Sequence, residues 1–263
     1  MIRLDKPDAF DLAATLDCGQ CFRWTQKDGV WRGIAFGRSL RVEEKPDTLE
    51  LSCSQEEWER IWRLYFDFDR DYAAIREMLS ALSPVLAEAA AYAGGIRILQ
   101  QEPWEALCTF ILSQNNNIPR IRGLTEKLCA SFGEAVEGGF AFPRPERLAD
   151  CTEEELRALG LGYRAPYVLD AAHRVAGGMD LEALRTLPED EVLARLNQIH
   201  GVGPKVAQCM LLFGLHRLDA FPQDVWIKRA MARYFPGKSR ADFGPDAGIA
   251  QQYIFHYVRT HDT

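Results

Sequence analysis

No run of apolar residues in this 263-residue chain approaches the roughly 18 that a membrane-crossing helix needs. Basic excess is also missing. Lys and Arg number 31 against 38 Asp and Glu, a net charge of −7, which excludes a uniformly basic nucleic-acid coat but leaves room for a local basic face. The opening stretch, MIRLDKPDAFDLAATL, has acids and a proline where a secretory leader would carry its apolar core, so a cytoplasmic location is expected. Close cysteine pairs are scarce. Of seven cysteines, at 18, 21, 53, 108, 129, 151 and 209, only Cys18 and Cys21 are near neighbours. A tetrahedral metal site needs a second pair of soft ligands, and no second CxxC and no HxxxH follows. Reduced thiols, with Cys18 and Cys21 as small buried side chains beside a turn at Gly19, are the expectation. Internal repeats and low-complexity tracts are absent too. What remains, 47% hydrophobic and 26% charged, is ordinary globular protein.

Residues 20–54 read as a short antiparallel meander. Apolar or aromatic segments at 20–24, 31–36, 39–42 and 48–52 are separated by turn signals at Lys27-Asp28-Gly29, Gly37-Arg38 and Lys45-Pro46-Asp47. From Ser54 the period becomes helical, with Trp58, Ile61, Trp62 and Tyr65 on one face. Ser54/Glu57 and Thr152/Glu155 have the spacing of reciprocal helix caps. Helices are expected near 103–113, 118–132, 152–159, 164–176 and 189–197. The fold class is therefore α+β: an N-terminal antiparallel β-sheet domain with flanking helices, 1–95, packed on an all-α domain, 96–263. Charge is segregated along the chain. Residues 43–71 hold ten acids and four bases, whereas 197–240 hold seven Lys and Arg and only Asp219 and Asp224.

That basic stretch contains Leu196-Asn-Gln-Ile-His200-Gly-Val-Gly-Pro-Lys205-Val-Ala-Gln-Cys209, the centre of a helical hairpin at about 190–214. Gly201 and Gly203 flank Val202 in a turn too tight for side chains, and Pro204 opens the next helix where its missing N–H costs nothing. Such a turn beside a helix N-terminus suits a phosphate without reading base identity. A dinucleotide fingerprint is excluded, because a helical pattern and not a strand precedes the glycines. Lys205 falls in the first helical turn. An exposed lysine of ordinary pKa, about 10.4, is neutral only once in roughly 2,500 molecules at pH 7, so Lys205 acts as a nucleophile only if partly buried. The alternative is a lysine that simply faces phosphate. Asp224, in Phe221-Pro222-Gln-Asp224-Val-Trp226, reads first as a helix cap, with a carboxylate converging on Lys205 across one helix and one loop as the alternative.

Together the glycine hairpin, Lys205 and the Pro-x-Asp opening resemble the lysine-bearing helix-hairpin-helix DNA glycosylases. Four more stretches resemble, within that superfamily, the 8-oxoguanine DNA glycosylase/AP lyase family: Gly19-Gln-Cys-Phe-Arg-Trp24, Ser113-Gln-Asn-Asn-Asn117-Ile-Pro-Arg120, Leu159-Gly-Leu-Gly-Tyr163-Arg164 and Ala247-Gly-Ile-Ala-Gln251-Gln-Tyr-Ile-Phe255. The resemblance implies that Lys205 attacks C1′ of the damaged nucleotide and forms a Schiff base that undergoes β-elimination. Asp224 then stabilises developing positive charge. It further implies that the base is flipped out and held between Cys209 and Phe255, with Gln251 on its Watson–Crick edge. The Gly19 carbonyl takes the N7 proton that 8-oxoguanine has and guanine lacks. Asn115, Arg120 and Arg164 meet the orphaned cytosine, Tyr163 wedges beside the DNA, and Gly201 and Gly203 hold backbone phosphate. Trp226 departs from the histidine of eukaryotic relatives.

The partner so implied is duplex DNA containing 8-oxoguanine, bound by a monomer in the nucleoid or the nucleus, with no membrane. No cysteine follows Cys209, so no iron–sulfur cluster and no resident cofactor is expected. Carbonyls of Asn197, Ile199 and Val202 are a cation site by family resemblance only. Two other readings stay open on the residues: the same scaffold acting on a different oxidised base, and a non-catalytic hairpin that only holds DNA backbone.

Overall fold

Period-two alternation builds the N-terminal sheet. The computed structural model describes residues 1–261 and forms five antiparallel strands: β1 (Ile2–Asp5), β2 (Trp24–Lys27), β3 (Val30–Ala35), β4 (Arg38–Glu44) and β5 (Thr48–Leu51). Their spatial order is β1-β5-β4-β3-β2. On β4, Leu40 and Val42 face the core while Arg41 between them faces water. Asp28-Gly29 and Phe36-Gly37 all have positive φ, between 52° and 79°, as two-residue hairpin turns require. Gly33 pairs with Trp24 across the strands, and a Cβ there would come within 2.3 Å of the indole.

Two features differ from the sequence expectation. Residues 20–23 are not strand. Gly19 turns the chain at φ 91°, the Gln20 side chain is buried, and pairing starts only at Trp24. The second is β1, which four residues ahead of Pro7 were too short to reveal; Ile2 pairs with Leu51.

The helices follow local chemistry closely. Asp11 caps α1 (Leu12–Asp17) by accepting the Ala14 N–H. Ser54 and Glu57 form their reciprocal cap and start α2 (Gln55–Glu57), which passes through one wider π turn at Trp58–Trp62 into α3 (Arg63–Tyr65). Next come α4 (Tyr72–Ser80), α5 (Pro84–Ala93), α6 (Pro103–Leu112) and α7 (Ile118–Phe132). A two-stranded hairpin, β6 (Ala135–Val136) and β7 (Gly139–Phe140), interrupts the run before α8 (Pro145–Ala149), α9 (Glu153–Ala158) and α10 (Ala165–Ala176). The last four are α11 (Glu189–Leu196), α12 (Pro204–Cys209), α13 (Val225–Tyr234) and α14 (Ala247–His261). Proline occupies the first position of α5, α6, α8 and α12, where no intrahelical N–H bond is lost. The Thr152/Glu155 cap forms as expected. No helix among the described residues is long and apolar enough to cross a membrane.

Two apolar cores result. Trp24, Trp31, Leu40, Leu51 and Trp62 belong to the sheet core. The larger helical core also takes in α4 and α5, whose buried Ala89, Ala90 and Ala93 let α14 lie close, although the two helices fall in the 1–95 segment. The cores interlock along two stretches. Cys18 and Phe22 point into the helical core and Cys21 into the sheet core, while Ile96 and Ile98 face one and Leu99 the other. Cys18 and Cys21 are thus small buried thiols beside a glycine turn, and burial pushes the Cys18 thiol up to about 12.

Candidate active site

The hairpin turn between α11 and α12 is held by two residues of α10. Gly201, at φ 81°, lies flat on Tyr167: a Cβ there would come within 2.3 Å of the ring. The His200 N–H donates to Asp170 Oδ2 at 2.8 Å, and Arg174 Nε donates to the same oxygen at 2.8 Å. Burial alone would raise the Asp170 pKa, but these donors hold it below the usual carboxylate range. Gly203 is different. Its backbone is extended, a Cβ would meet nothing within 4 Å, and no side chain caps α12. The first-turn N–H groups of α12 therefore have no side-chain acceptor, the condition for binding an anion.

Lys205, half-buried, rises from that turn. Its Nζ donates to Ser113 Oγ at 3.1 Å and lies 5.7 Å from the Phe110 ring centroid. Ser113 Oγ in turn donates to the Phe110 carbonyl at 2.7 Å, so the hydroxyl keeps a lone pair towards the amine. Asp224 caps α13, its Oδ1 accepting the Ile227 N–H at 2.9 Å. Among the described residues, no ion pair within 4 Å joins Lys205 to Asp224. Cap and cleft carboxylate are the same group, and its charge is not spent on the amine.

Both side chains line one cleft of about 360 Å³, and so do Gly19, Cys209, Gln251 and Phe255. Six residues spread over 237 positions, from Gly19 to Phe255, converge there. Gly19 has to be glycine: φ is 91° and a Cβ would lie 3.1 Å from Ile118 Cδ1 and 4.0 Å from the Phe255 ring. Burial pushes the Cys209 thiol up, with Lys205 pulling the other way. Gln251 is 5% exposed, and its Oε1 is buried with no hydrogen-bond partner among the described residues. A buried orphan acceptor costs roughly 1–3 kcal/mol, so a ligand donating to Gln251 recovers what the free chain forgoes.

The Asn115–Asn117 run divides its duties. Asn116 Nδ2 donates to the Leu112 carbonyl at the end of α6, and Asn117 Oδ1 accepts the Arg120 N–H at the start of α7. Asn115 is exposed at φ 48°, its side chain uncommitted among the described residues. Arg120 is exposed as well. Arg164 is not: it is 4% exposed, and its guanidinium donates to the carbonyls of Gln114, Asn115 and Leu161. Its donors are committed to the 113–117 turn and to Leu161, where the sequence expectation has them facing an orphaned base. Tyr163, 44% exposed, covers Arg164 at 4.4 Å and donates its hydroxyl to the Gln114 carbonyl at 3.0 Å. Trp226 is half-buried beneath the Arg229 guanidinium.

Residues 1–107 match the family model of the 8-oxoguanine DNA glycosylase N-terminal domain, and residues 108–243 that of the HhH-GPD superfamily of base excision DNA repair proteins. The chain belongs to the 8-oxoguanine DNA glycosylase family. A relative named N-glycosylase/DNA lyase, from Saccharomyces cerevisiae, is 33% identical over 262 residues, 84% of this chain and 67% of that protein. A solved structure of MBOgg1 with a low-affinity DNA ligand is 37% identical, with TM-score 0.92 over all of both chains. The Clostridium acetobutylicum 8-oxoguanine glycosylase/lyase, solved with duplex DNA containing cytosine opposite 8-oxoguanine, is 35% identical, with TM-score 0.91 over 100% of this chain and 99% of that one.

Several residues of this family member's cleft were not legible in the sequence. Phe110, Phe213, Pro222 and Gln252 complete the lining, and Ser113 holds the lysine. Phe110 and Phe213 sit in apolar runs that look like any core helix. Gln252 did leave a signal, two consecutive glutamines within a stretch of α14 that is otherwise buried and apolar or aromatic from Ile249 to Ile254. A second groove, lined by Arg38, Arg41, Ser52 and Glu137, contains none of the candidate catalytic, base-binding or DNA-binding residues.

Proposed function

We propose that the chain is a bifunctional glycosylase and AP lyase that removes 8-oxoguanine from opposite cytosine in duplex DNA, acting as a monomer. The observation that carries this reading is a single cleft holding a half-buried amine, an unpaired carboxylate and an orphaned amide acceptor. Flipping a nucleotide out of the stack costs a few kcal/mol, repaid by contacts with the pocket. Cys209 and Phe255 take the two faces of the base. Gln251 Oε1 accepts donors of its Watson–Crick edge, and the Gly19 carbonyl accepts the N7 proton of 8-oxoguanine, where guanine would present a lone pair.

Lys205 Nζ, as the free amine, attacks C1′. The C1′–N9 bond breaks with its electrons on the base, which takes up a proton. Opening of the sugar at O4′ leaves an iminium on Lys205; loss of the C2′ proton then expels the 3′ phosphate. Asp224, with one oxygen on the Ile227 N–H, turns the other to the positive charge developing at C1′. Asn115 and Arg120 meet the orphaned cytosine at N3 and O2. Arg164 and Tyr163 brace the turn that presents Asn115, and the open end of α12 with Gly201 and Gly203 takes backbone phosphate.

The test is borohydride trapping across a lesion panel: 8-oxoguanine, an oxidised pyrimidine and an alkylated adenine, each in duplex DNA. A covalent adduct formed fastest on 8-oxoguanine opposite cytosine is expected. Faster trapping on the pyrimidine reassigns the substrate, and duplex binding with no adduct on any lesion leaves only a DNA-binding hairpin.

A further inference from the structure

Gly19 has no side chain with which to fix its own peptide, yet the reading above asks its carbonyl to meet one proton of the flipped base. Its neighbours are anchored instead. Gln20, fully buried, spreads its amide over three separate backbone groups: Nε2 donates to the Thr15 carbonyl at 2.8 Å and the Arg97 carbonyl at 2.7 Å, and Oε1 accepts the Leu99 N–H at 2.9 Å. The backbone carbonyl of Gln20 accepts Gln101 Nε2 at 2.7 Å, and the same nitrogen reaches the carbonyl of Phe213 at 3.5 Å. Gln101 is 5% exposed, and Phe213 lines the cleft from the π-helical turn, Met210–Gly214, that continues α12 beyond Cys209. On the other side of Gly19, Cys18 Sγ accepts from Gln252 Nε2 at 3.5 Å, one residue from Gln251. The residues flanking Gly19 are therefore tied to three opposing elements.

We infer that Gln20 and Gln101 are positioning residues that hold the Gly19 wall at a fixed separation from the Phe213 wall, and so set the pocket's fit to the damaged base. Gln101 is the link between the walls. Its two N–H groups match two carbonyls, that of Gln20, 81 residues away in sequence, and that of Phe213, 112 residues away, and no apolar residue can replace that bridge. Gln20 locks the peptide beyond Gly19 to the 96–101 strap, where the two cores interlock. Among the described residues no hydrogen bond joins either residue to the amine or to Asp224, so the elimination step on a sugar that has already lost its base does not need them.

This inference rests on the proposed excision of 8-oxoguanine, and the experiment separates the two. Unmodified chain, Gln101→Met and Gln20→Met are each assayed twice, for release of 8-oxoguanine from opposite cytosine and for β-elimination at a preformed abasic site in the same duplex. Methionine keeps the volume and removes the amide donors. Excision is expected to fall about tenfold or more in each variant, with β-elimination within about twofold of the unmodified chain. Equal loss of both steps assigns the residues to general stability and overturns the inference, as does unchanged excision. If Gln20→Met does not fold, Gln101→Met decides the matter alone. If the unmodified chain releases no 8-oxoguanine, the substrate reading has failed, and this inference falls with it before any variant is compared.

Discussion

The cleft and the junction around Asp67 treat charge in opposite ways. Asp67 is 5% exposed and fully engaged: Arg70 Nε donates at 2.7 Å, Tyr72 Oη at 3.0 Å and Gln100 Nε2 at 3.3 Å, with His216 Nε2 at 3.5 Å. Burial would raise its pKa, but His216 and Arg70 hold the carboxyl down to about 2. Lys205 donates to the Ser113 hydroxyl and lies against the Cys209 thiol, Asp224 accepts the Ile227 backbone N–H, and among the described residues the two do not pair with one another. Charge that locks two cores together is saturated, because an unpaired buried ion is expensive. In the function proposed above, charge that acts on a substrate is left short of a charged partner, so that the missing interaction is made only when the reacting atoms arrive.

The largest effect expected is at the cleft. Lys205→Gln should remove borohydride trapping and strand cleavage by about a thousandfold or more, equivalent to about 4 kcal/mol of barrier, while melting stays within about 2 °C of the unmodified chain. Trapping that survives takes Lys205 out of the mechanism. The junction should give the mirror image. Asp67→Ala is expected to cost about 3–5 kcal/mol in urea unfolding and to leave excision per folded molecule unchanged; a loss below about 1 kcal/mol would erase the contrast between the regions.

Asp224→Asn divides the two duties of one side chain. Asparagine caps as well as aspartate, so stability should stay within about 0.5 kcal/mol, while single-turnover excision drops about a hundredfold. A stability loss with an unchanged rate makes Asp224 a cap and nothing more. Arg120→Ala comes next, weakening preference for cytosine over adenine opposite the lesion about tenfold without altering the melting temperature. Arg164→Ala should lower the melting temperature as well, since it strips donors from the Gln114 and Asn115 carbonyls. Matching effects from the two arginines would return Arg164 to direct contact with the base.

The last prediction concerns a carboxyl outside both regions. Glu105, beside Arg23 at 3.3 Å, is raised to about 7 by burial, with Arg23 opposing. The folded chain keeps that proton between about 4.5 and 7 and an unfolded chain does not, so this group's contribution to stability declines as pH rises through that window. Glu105→Gln should flatten the decline in urea midpoints measured from pH 4.5 to 7. An identical slope in the variant assigns the pH dependence elsewhere.

Much of the fold and the site was readable from neighbouring residues. Glycine and proline spacing marks the 201–204 turn because a left-handed or N–H-free position tolerates few other residues, and cap pairs mark Ser54 and Thr152 because both partners lie within one turn. The five predicted helices from 103 to 197 agree with α6, α7, α9, α10 and α11 to within one residue at each end. The strand expected at 20–24 did not form because Gln20 satisfies backbone groups far away in sequence, at Arg97 and Leu99, in place of a strand ladder. The three asparagines look alike in sequence; the ends of α6 and α7 engage two and leave Asn115 exposed.

By itself, then, the sequence determined the hairpin, the order of sheet and helices, the amine and carboxylate put forward for the cleft, and the family to which the motifs point. These are local chemistry, set by backbone conformations and spacings that few residues satisfy. The tertiary structure alone decided that Lys205 leans on Ser113, 92 residues away, that Arg164 turns inward, and that one amide from Gln101 spans two walls of the cleft. Those contacts come from the interlocking of two apolar cores, and burial driven by area carries no record in the chain of which distant polar atoms it will bring within 3 Å of each other.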